Sequence, residues 1–299
     1  MKWSYWVVAL AMVMAACEGT KSRNSESHVD LPKAEPLMEA PHLTEEQEVE
    51  QIAQIREQQM RDEELFKQGL GDIAGNACKY RSSIGVRAPQ RKVVLTFDDG
   101  PDANITPRVL DILKKHRIKA TFFVTGNNAS RHQNILKRAE AEGHLIGNHS
   151  WNHLNFHQLA FGQQSQQYVS TENVIRPFHG GTKYFRYPFG NSSCEMNSLL
   201  KSRGYNIVGW HVDSCDWGFE GTGTVSDKNA RICGVRAANQ SNFVAHVVET
   251  TRAKGGGILL FHDIRPRAMS KLESIIENLL RDGFEFVNLD DASVQPSLF

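Results

Sequence analysis

From Arg91 onward, compact apolar runs alternate with longer amphipathic ones. Val93 to Phe97, Ala120 to Thr125, Leu145 to Gly147, Tyr184-Phe185, Ile207 to Val212, Gly257 to Phe261 and Phe284 to Leu289 are short β-branched, aliphatic or aromatic stretches. These are the runs expected of strands buried on both faces. Between them, Pro107 to His116 carries apolar residues at Val109, Leu110, Ile112 and Leu113, a helical spacing, and Ile135 to Glu142 is closed by Gly143. Ser193 to Arg203, Asn242 to Lys254 and Ser270 to Asp282 read as further helices. Such alternation predicts an α/β fold around a parallel sheet, open or closed into a barrel, with its site at the C-terminal ends of the strands.

The first ninety residues have a different texture. Lys2 precedes an apolar stretch, Trp3 to Ala16, too short to span a bilayer as a stable helix, which is the layout of a secretory signal. The stretch ends Met14-Ala15-Ala16-Cys17, which resembles the lipobox of bacterial lipoproteins, with Met14 in place of the usual Leu. Residues 1–17 are therefore expected to be a signal, and Cys17 a lipid anchor that tethers the chain to a membrane; cleavage after Ala16 without lipid is the plainer alternative. Residues 18–43 are Ser-, Pro-, Glu- and Lys-rich and read as a flexible linker. Thr44, followed by Glu45 to Gln47, has the form of a capping box, opening a charged helix over 44–70. Its apolar positions Val49, Ile52, Ile55 and Met60 are too irregular for a heptad, so the helix is expected to lie solvated on or beside the body. The catalytic domain is expected over 78–290, with 291–299 as a tail.

Lys plus Arg and Asp plus Glu number 34 each, a balance that argues against a nucleic-acid partner and suits a neutral polymer such as a glycan. Beyond Cys17, Cys78, Cys194, Cys215 and Cys233 form an even set, as expected of disulfides in an exported chain. Three pairings remain open.

Five segments carry candidate chemistry. Val93 to Phe97 delivers two acids, Asp98 and Asp99, to a Gly100-Pro101 turn. Neighbours on an extended segment point apart, so only the turn aims both into one site, where converging carboxylates need a cation or a shared proton. His149 and His153, four apart, would stack on one face of a helical turn and reach one ion, with His157 a rival third ligand. A carboxylate is the better third donor, because two histidines and one carboxylate leave coordination positions open. Arg186 stands beside a rigid Pro188 turn, where it could clamp a carboxylate. Asp213, Asp216 and Trp217 end a later run, and Ile258 to Phe261 delivers His262, an acid or base candidate. Each piece alone has a plainer reading as an acidic turn, a surface histidine or arginine, or a cap.

Together, Thr96-Phe97-Asp98-Asp99-Gly100-Pro101, His149-Ser150-x-x-His153, Arg186-x-Pro188-Phe189-Gly190, Asp213-x-x-Asp216-Trp217 and Leu259-x-x-His262 resemble the ordered motifs of the polysaccharide deacetylases. This is the carbohydrate-esterase family related to chitooligosaccharide deacetylase, and the resemblance runs from about Arg91 to Asp290. It implies a distorted, incomplete (β/α) barrel. It implies that Asp99, His149 and His153 bind one divalent metal ion, usually zinc, with cobalt, nickel or manganese as alternatives. Asp98 would be the general base, Arg186 its orienting partner, His262 the general acid and Asp216 the residue tuning it. Trp217 and Leu259 would line the acetyl pocket, and the backbone N–H of Phe189 would help hold the oxyanion. Tyr187 stands where many members have Pro, and Phe189 where many have Tyr. The stretch from Trp217 to Leu259 is long for the family. The activity implied is hydrolytic removal of N-acetyl groups from an envelope polysaccharide, peptidoglycan N-acetylglucosamine first. Chitin oligomers, exopolysaccharide and O-acetylated xylan are alternatives within that chemistry, and a non-catalytic glycan-binding envelope lipoprotein is one outside it.

Overall fold

The computed structural model describes residues 37, 39, 41–67 and 88–298, without the side chains of 62–67. The expected signal and Cys17, most of the linker, residues 68–70 and Cys78 lie outside that set. Among the described residues, eight parallel strands form one curled sheet: β1 (Lys92–Asp98), β2 (Thr121–Val124), β3 (Leu145–Asn148), β4 (Lys183–Phe185), β5 (Tyr205–Ile207), β6 (Val212–Asp213), β7 (Gly257–His262) and β8 (Glu285–Phe286). The order is β5-β4-β3-β2-β1-β7-β6, with β8 beside the start of β1. Six of the seven β1 residues are buried, so its run shows no polar alternation. On one face, Leu95, Phe97, Leu259 and Phe261 pack under helices through Val109, Leu113, Leu272 and Leu279. On the other, Val94, Phe123, Tyr184, Val208 and Ile258 fill the inside of the curl, together with Leu289 and Val294. The C-terminal stretch is thus partly built into the body, and Lys92 Nζ holds Asp291 at 3.1 Å.

Ile207 to Val212 is not the single strand its apolar run suggests. β5 pairs with β4 at one edge of the sheet and β6 with β7 at the other, so 208–211 crosses the gap where the barrel fails to close. The crossing is registered by the Val208 N–H on the Phe185 carbonyl at 2.9 Å and the His211 N–H on the Ile258 carbonyl at 2.8 Å. Carbonyls there have no neighbouring strand, and Val208 and Gly209 offer theirs to the Arg186 guanidinium at 3.2 and 2.9 Å. The fold is the incomplete (β/α) barrel that the motifs imply.

The helix Phe161–Ile175 escapes the sequence pattern because its buried face is polar, comprising Gln164, Ser165, Gln167, Thr171 and Glu172 beside Tyr168 and Ile175. The Thr44 capping box is present: the Thr44 N–H meets Gln47 Oε1 at 2.9 Å and the Gln47 N–H meets Thr44 Oγ1 at 3.2 Å. It opens α1 (Glu45–Lys67), which is not simply solvated, since Ala53 is fully buried and Val49 and Ile52 pack against the main core. A disulfide joins Cys215 to Cys233 with Cα atoms 5.7 Å apart, tying the turn after β6 to the helix Asp227–Cys233. Closing a loop of that length is worth about 3 kcal/mol against the unfolded chain. Among the described residues no helix is long and apolar enough to cross a membrane.

Candidate active site

The site forms where β1, β3 and β7 end. Asp98 and His262 are register partners on adjacent parallel strands, so their side chains leave the same face at the same level. Asp99 then adopts a left-handed φ of 74°, with its N–H on the Phe123 carbonyl at 3.1 Å. That reversal, rather than extended geometry, turns the second carboxylate toward the first.

His149 follows β3, but His149 to His153 is not a helical turn. Ser150 and His153 both have left-handed φ values, 67° and 59°, and this double bend brings the rings to 5.1 Å. The loop is held by Asn148 Oδ1 on the Ser150 N–H (3.0 Å) and by Ser150 Oγ on the His153 N–H (3.1 Å). Gln167 Oε1 accepts from the Trp151 and Asn152 N–H groups at 3.0 and 3.1 Å. Gln167 thus positions both imidazoles, and its polar helix left no apolar period to reveal it. His157 turns elsewhere, with Nε2 on the Ser192 carbonyl at 2.9 Å.

Asp99, His149 and His153 offer ligand atoms that all lie within 4.8 Å of one another. His149 Nδ1 meets the Arg186 carbonyl at 2.8 Å, leaving Nε2 to face Asp99 Oδ1 at 3.5 Å, and His153 Nε2 lies 3.4 Å from the same oxygen. Asp99 Oδ1 and His149 Nε2 are buried without a hydrogen-bond partner. Two orphaned buried atoms aimed at one point, in a two-nitrogen, one-oxygen set, fit a divalent cation of the zinc class. Burial, and then the neighbouring His153, pull His149 down to about 4, which keeps it a neutral donor. Burial works against the Asp99 anion, but His153, His262, His149 and Arg265 outweigh it and hold the carboxyl down to about 2.

Arg186, fully buried, sits 4.3 Å over the Phe123 ring and reaches Asp98 Oδ1 at 2.7 Å and Thr96 Oγ1 at 2.8 Å. With the two carbonyls of the barrel gap, each of its three nitrogens has an acceptor, and Asp98 is held from one side. On the facing side, Asp216 Oδ1 meets His262 Nδ1 at 2.7 Å and its Oδ2 accepts the His262 N–H at 2.6 Å. Burial opposes the His262 cation, but the Asp216 charge and hydrogen bond, with Asp99 and Asp98 beyond, raise it to about 10.

Phe189, at a left-handed φ of 57°, sets its ring 4.5 Å from that of His153, and Trp217 forms another wall of the pocket. Leu259 does not line it. Strand parity sends Leu259 to the helix-covered face with Leu95 and Phe97, whereas Leu260 shares the face of His262 and lines the cavity. Tyr187 also lines it, as do Trp210, Arg265 and, from α1, Glu48, Ile52 and Arg56, to none of which the motifs assign a role.

Residues 85–208 match the family model described as polysaccharide deacetylase. A peptidoglycan-N-acetylglucosamine deacetylase of Bacillus cereus is 32% identical over 222 residues, covering 74% of this chain and 73% of the relative. A protein of the same description from Listeria monocytogenes is 31% identical over 233 residues; the match covers 74% of this chain but only 44% of that longer protein. The structure of Bacillus subtilis PdaA, described as a family 4 carbohydrate esterase, superposes with a TM-score of 0.56 at 28% identity, covering 72% of this chain and 86% of that one. The sheet that carries the acid pair and the histidine loop, and the relatives that share it, have one reading: the chain belongs to the polysaccharide deacetylase family.

Proposed function

We propose that the protein removes N-acetyl groups hydrolytically from amino sugars of a cell-wall polysaccharide, with peptidoglycan N-acetylglucosamine as the first substrate. The observation that carries this reading is the facing pair: Asp98 clamped by Arg186 and His262 clamped by Asp216, on neighbouring strands beside the Asp99, His149 and His153 cluster. The names of the Bacillus cereus and Listeria monocytogenes relatives support the choice of glycan. A divalent cation held by Asp99, His149 and His153, zinc in the first instance, would supply Lewis acidity toward the amide carbonyl and the attacking water.

Asp98 takes the proton of that water, and the Arg186 clamp keeps its accepting oxygen aimed at the site. An amide nitrogen leaves poorly as an anion, so His262, held cationic by Asp216, hands it a proton, and a free amine and acetate result. The backbone N–H of Phe189 is the donor assigned to the developing oxyanion. Trp217 and Leu260 enclose the acetyl methyl and exclude bulk water. Export with lipid attachment at Cys17 belongs to the same proposal, because the substrate is assembled outside the membrane.

The test is mass spectrometry of muropeptides before and after incubation with purified protein, with chelation and zinc re-addition as the control. Loss of acetyl mass from N-acetylglucosamine, abolished by chelation and restored by zinc, is the expected result. Acetate released from acetylxylan but never from peptidoglycan or chitooligosaccharides would move the activity to ester hydrolysis, where the leaving alcohol depends less on His262. No acetate from any of them, with glycan still bound, would favour the binding-protein reading.

A further inference from the structure

The element that the sequence motifs leave without a task is α1, and it crosses the mouth of the site. Glu48, Ile52 and Arg56, spaced one turn apart on a single stripe, line the same cavity as Asp98, Asp99, His149, His153 and His262. Gln59 continues the stripe and donates to the Phe189 carbonyl at 3.0 Å and to the Asn191 side chain. With α1 seated, the cavity measures about 30 Å³, room for a water or two and none for a sugar ring.

Among its described side chains, what holds α1 there is mainly polar. Glu48 meets Arg265 at 2.8 Å, Glu50 meets Lys228 at 2.9 Å, and Arg56 reaches Asp213 at 3.5 Å while its guanidinium lies 4.7 Å over the Trp210 ring. Among the described side chains of α1, Ala53 is fully buried and the half-buried Val49 and Ile52 pack against the main core. The Glu50–Lys228 pair stands at the surface, where salt screens it, whereas Glu48–Arg265 and Arg56–Asp213 are more covered and must exchange for other polar partners when α1 lifts. The groups α1 occupies are those a glycan would use: an aromatic face at Trp210, a backbone acceptor at Phe189, and charged side chains at Arg265 and Asp213.

From this overlap we infer that α1 is a strap closing the glycan groove of its own chain, and that a polymer enters only after α1 lifts from Arg265, Asp213 and Phe189. The inference rests on the deacetylase reading for what the groove takes, but the strap itself is testable apart from turnover. In the full-length, zinc-incubated protein, amide hydrogen exchange over 49–59 is measured with and without chitopentaose. Displacement predicts that the sugar quickens exchange there; unchanged or slowed exchange overturns the strap.

Ala53→Asp puts a charge into the buried seat, and Glu50→Lys sets like charges against Lys228 at an exposed rim away from the catalytic groups. Both are expected to quicken exchange over 49–59 without sugar. Ala53→Asp is also expected to raise kcat/KM for chitopentaose at least tenfold, and 0.5 M NaCl to activate the unaltered protein in the same sense. If exchange quickens in Ala53→Asp while kcat/KM stays level or falls, α1 is a substrate-binding wall and the strap is wrong. If neither protein releases acetate, the deacetylase reading fails, and the exchange response to chitopentaose alone still decides the strap.

Discussion

Asp216→Asn isolates what the buried aspartate does for His262. In the native site Asp216 accepts from His262 Nδ1 and from the His262 and Trp217 backbone N–H groups, and its charge is the principal influence raising His262 to about 10. Asn has nearly the same shape and no charge, so what remains is burial, which lowers His262, against the more distant Asp99 and Asp98 charges, the smaller of the influences that raise it. At pH 8 His262 is almost wholly protonated in the native site. A return to the ordinary histidine value of about 6.5 would leave only about 3% carrying the proton, a roughly 30-fold loss of kcat.

The assay is the pH dependence of kcat/KM for acetate release from chitopentaose, between pH 5 and 10.5. The alkaline limb is expected near pH 10 in the native protein and at least two pH units lower in Asp216→Asn. A stability measurement carries the same sign. His262 binds its proton more tightly folded than unfolded, so the pair contributes stability fully below about pH 6.5 and loses it as the pH rises through about 10. Asn also leaves a buried N–H of the His262 backbone without its acceptor, at about 1–3 kcal/mol, but that loss has no such pH profile. An Asp216→Asn protein that folds, keeps its alkaline limb near pH 10 and loses no more than threefold in rate at pH 8 would refute the assignment of His262 as acid.

Two further perturbations separate neighbours that look alike in sequence. Leu259→Ala should cost about 2–5 kcal/mol of stability in denaturant titration with kcat/KM per folded molecule unchanged, because Leu259 packs under the helices. Leu260→Ala should leave more of the stability and change the preference between acetyl and propionyl substrates, because its side chain faces the cavity. Arg186→Met removes the clamp on Asp98 and leaves a buried carboxylate without its cation. Destabilisation of about 3–5 kcal/mol is expected in thermal or chemical melts. In the surviving folded protein kcat should fall by at least tenfold with KM little changed.

Most of the order of strands and helices was legible in the sequence, because buried strands and amphipathic helices are written in local apolar runs and their ends in Gly, Pro and capping residues. So were the acid pair, the two histidines, Arg186 and His262, since each sits next to such a run. Tertiary structure decided the rest, for identifiable reasons. The left-handed bends at Asp99, Ser150 and His153 aim the side chains, and a spacing of four had suggested a helical turn instead. Gln167 and its helix are buried through polar contacts, which leave no apolar period to read. Whether Leu259 or Leu260 faces the pocket depends on strand parity at the site, which a motif spacing does not carry. The position of α1 depends on ion pairs between residues more than 150 positions apart, Glu48 with Arg265, Glu50 with Lys228 and Arg56 with Asp213. A charged helix looks the same in sequence whether it faces water or another charge, so only the fold could bring it to the mouth of the site.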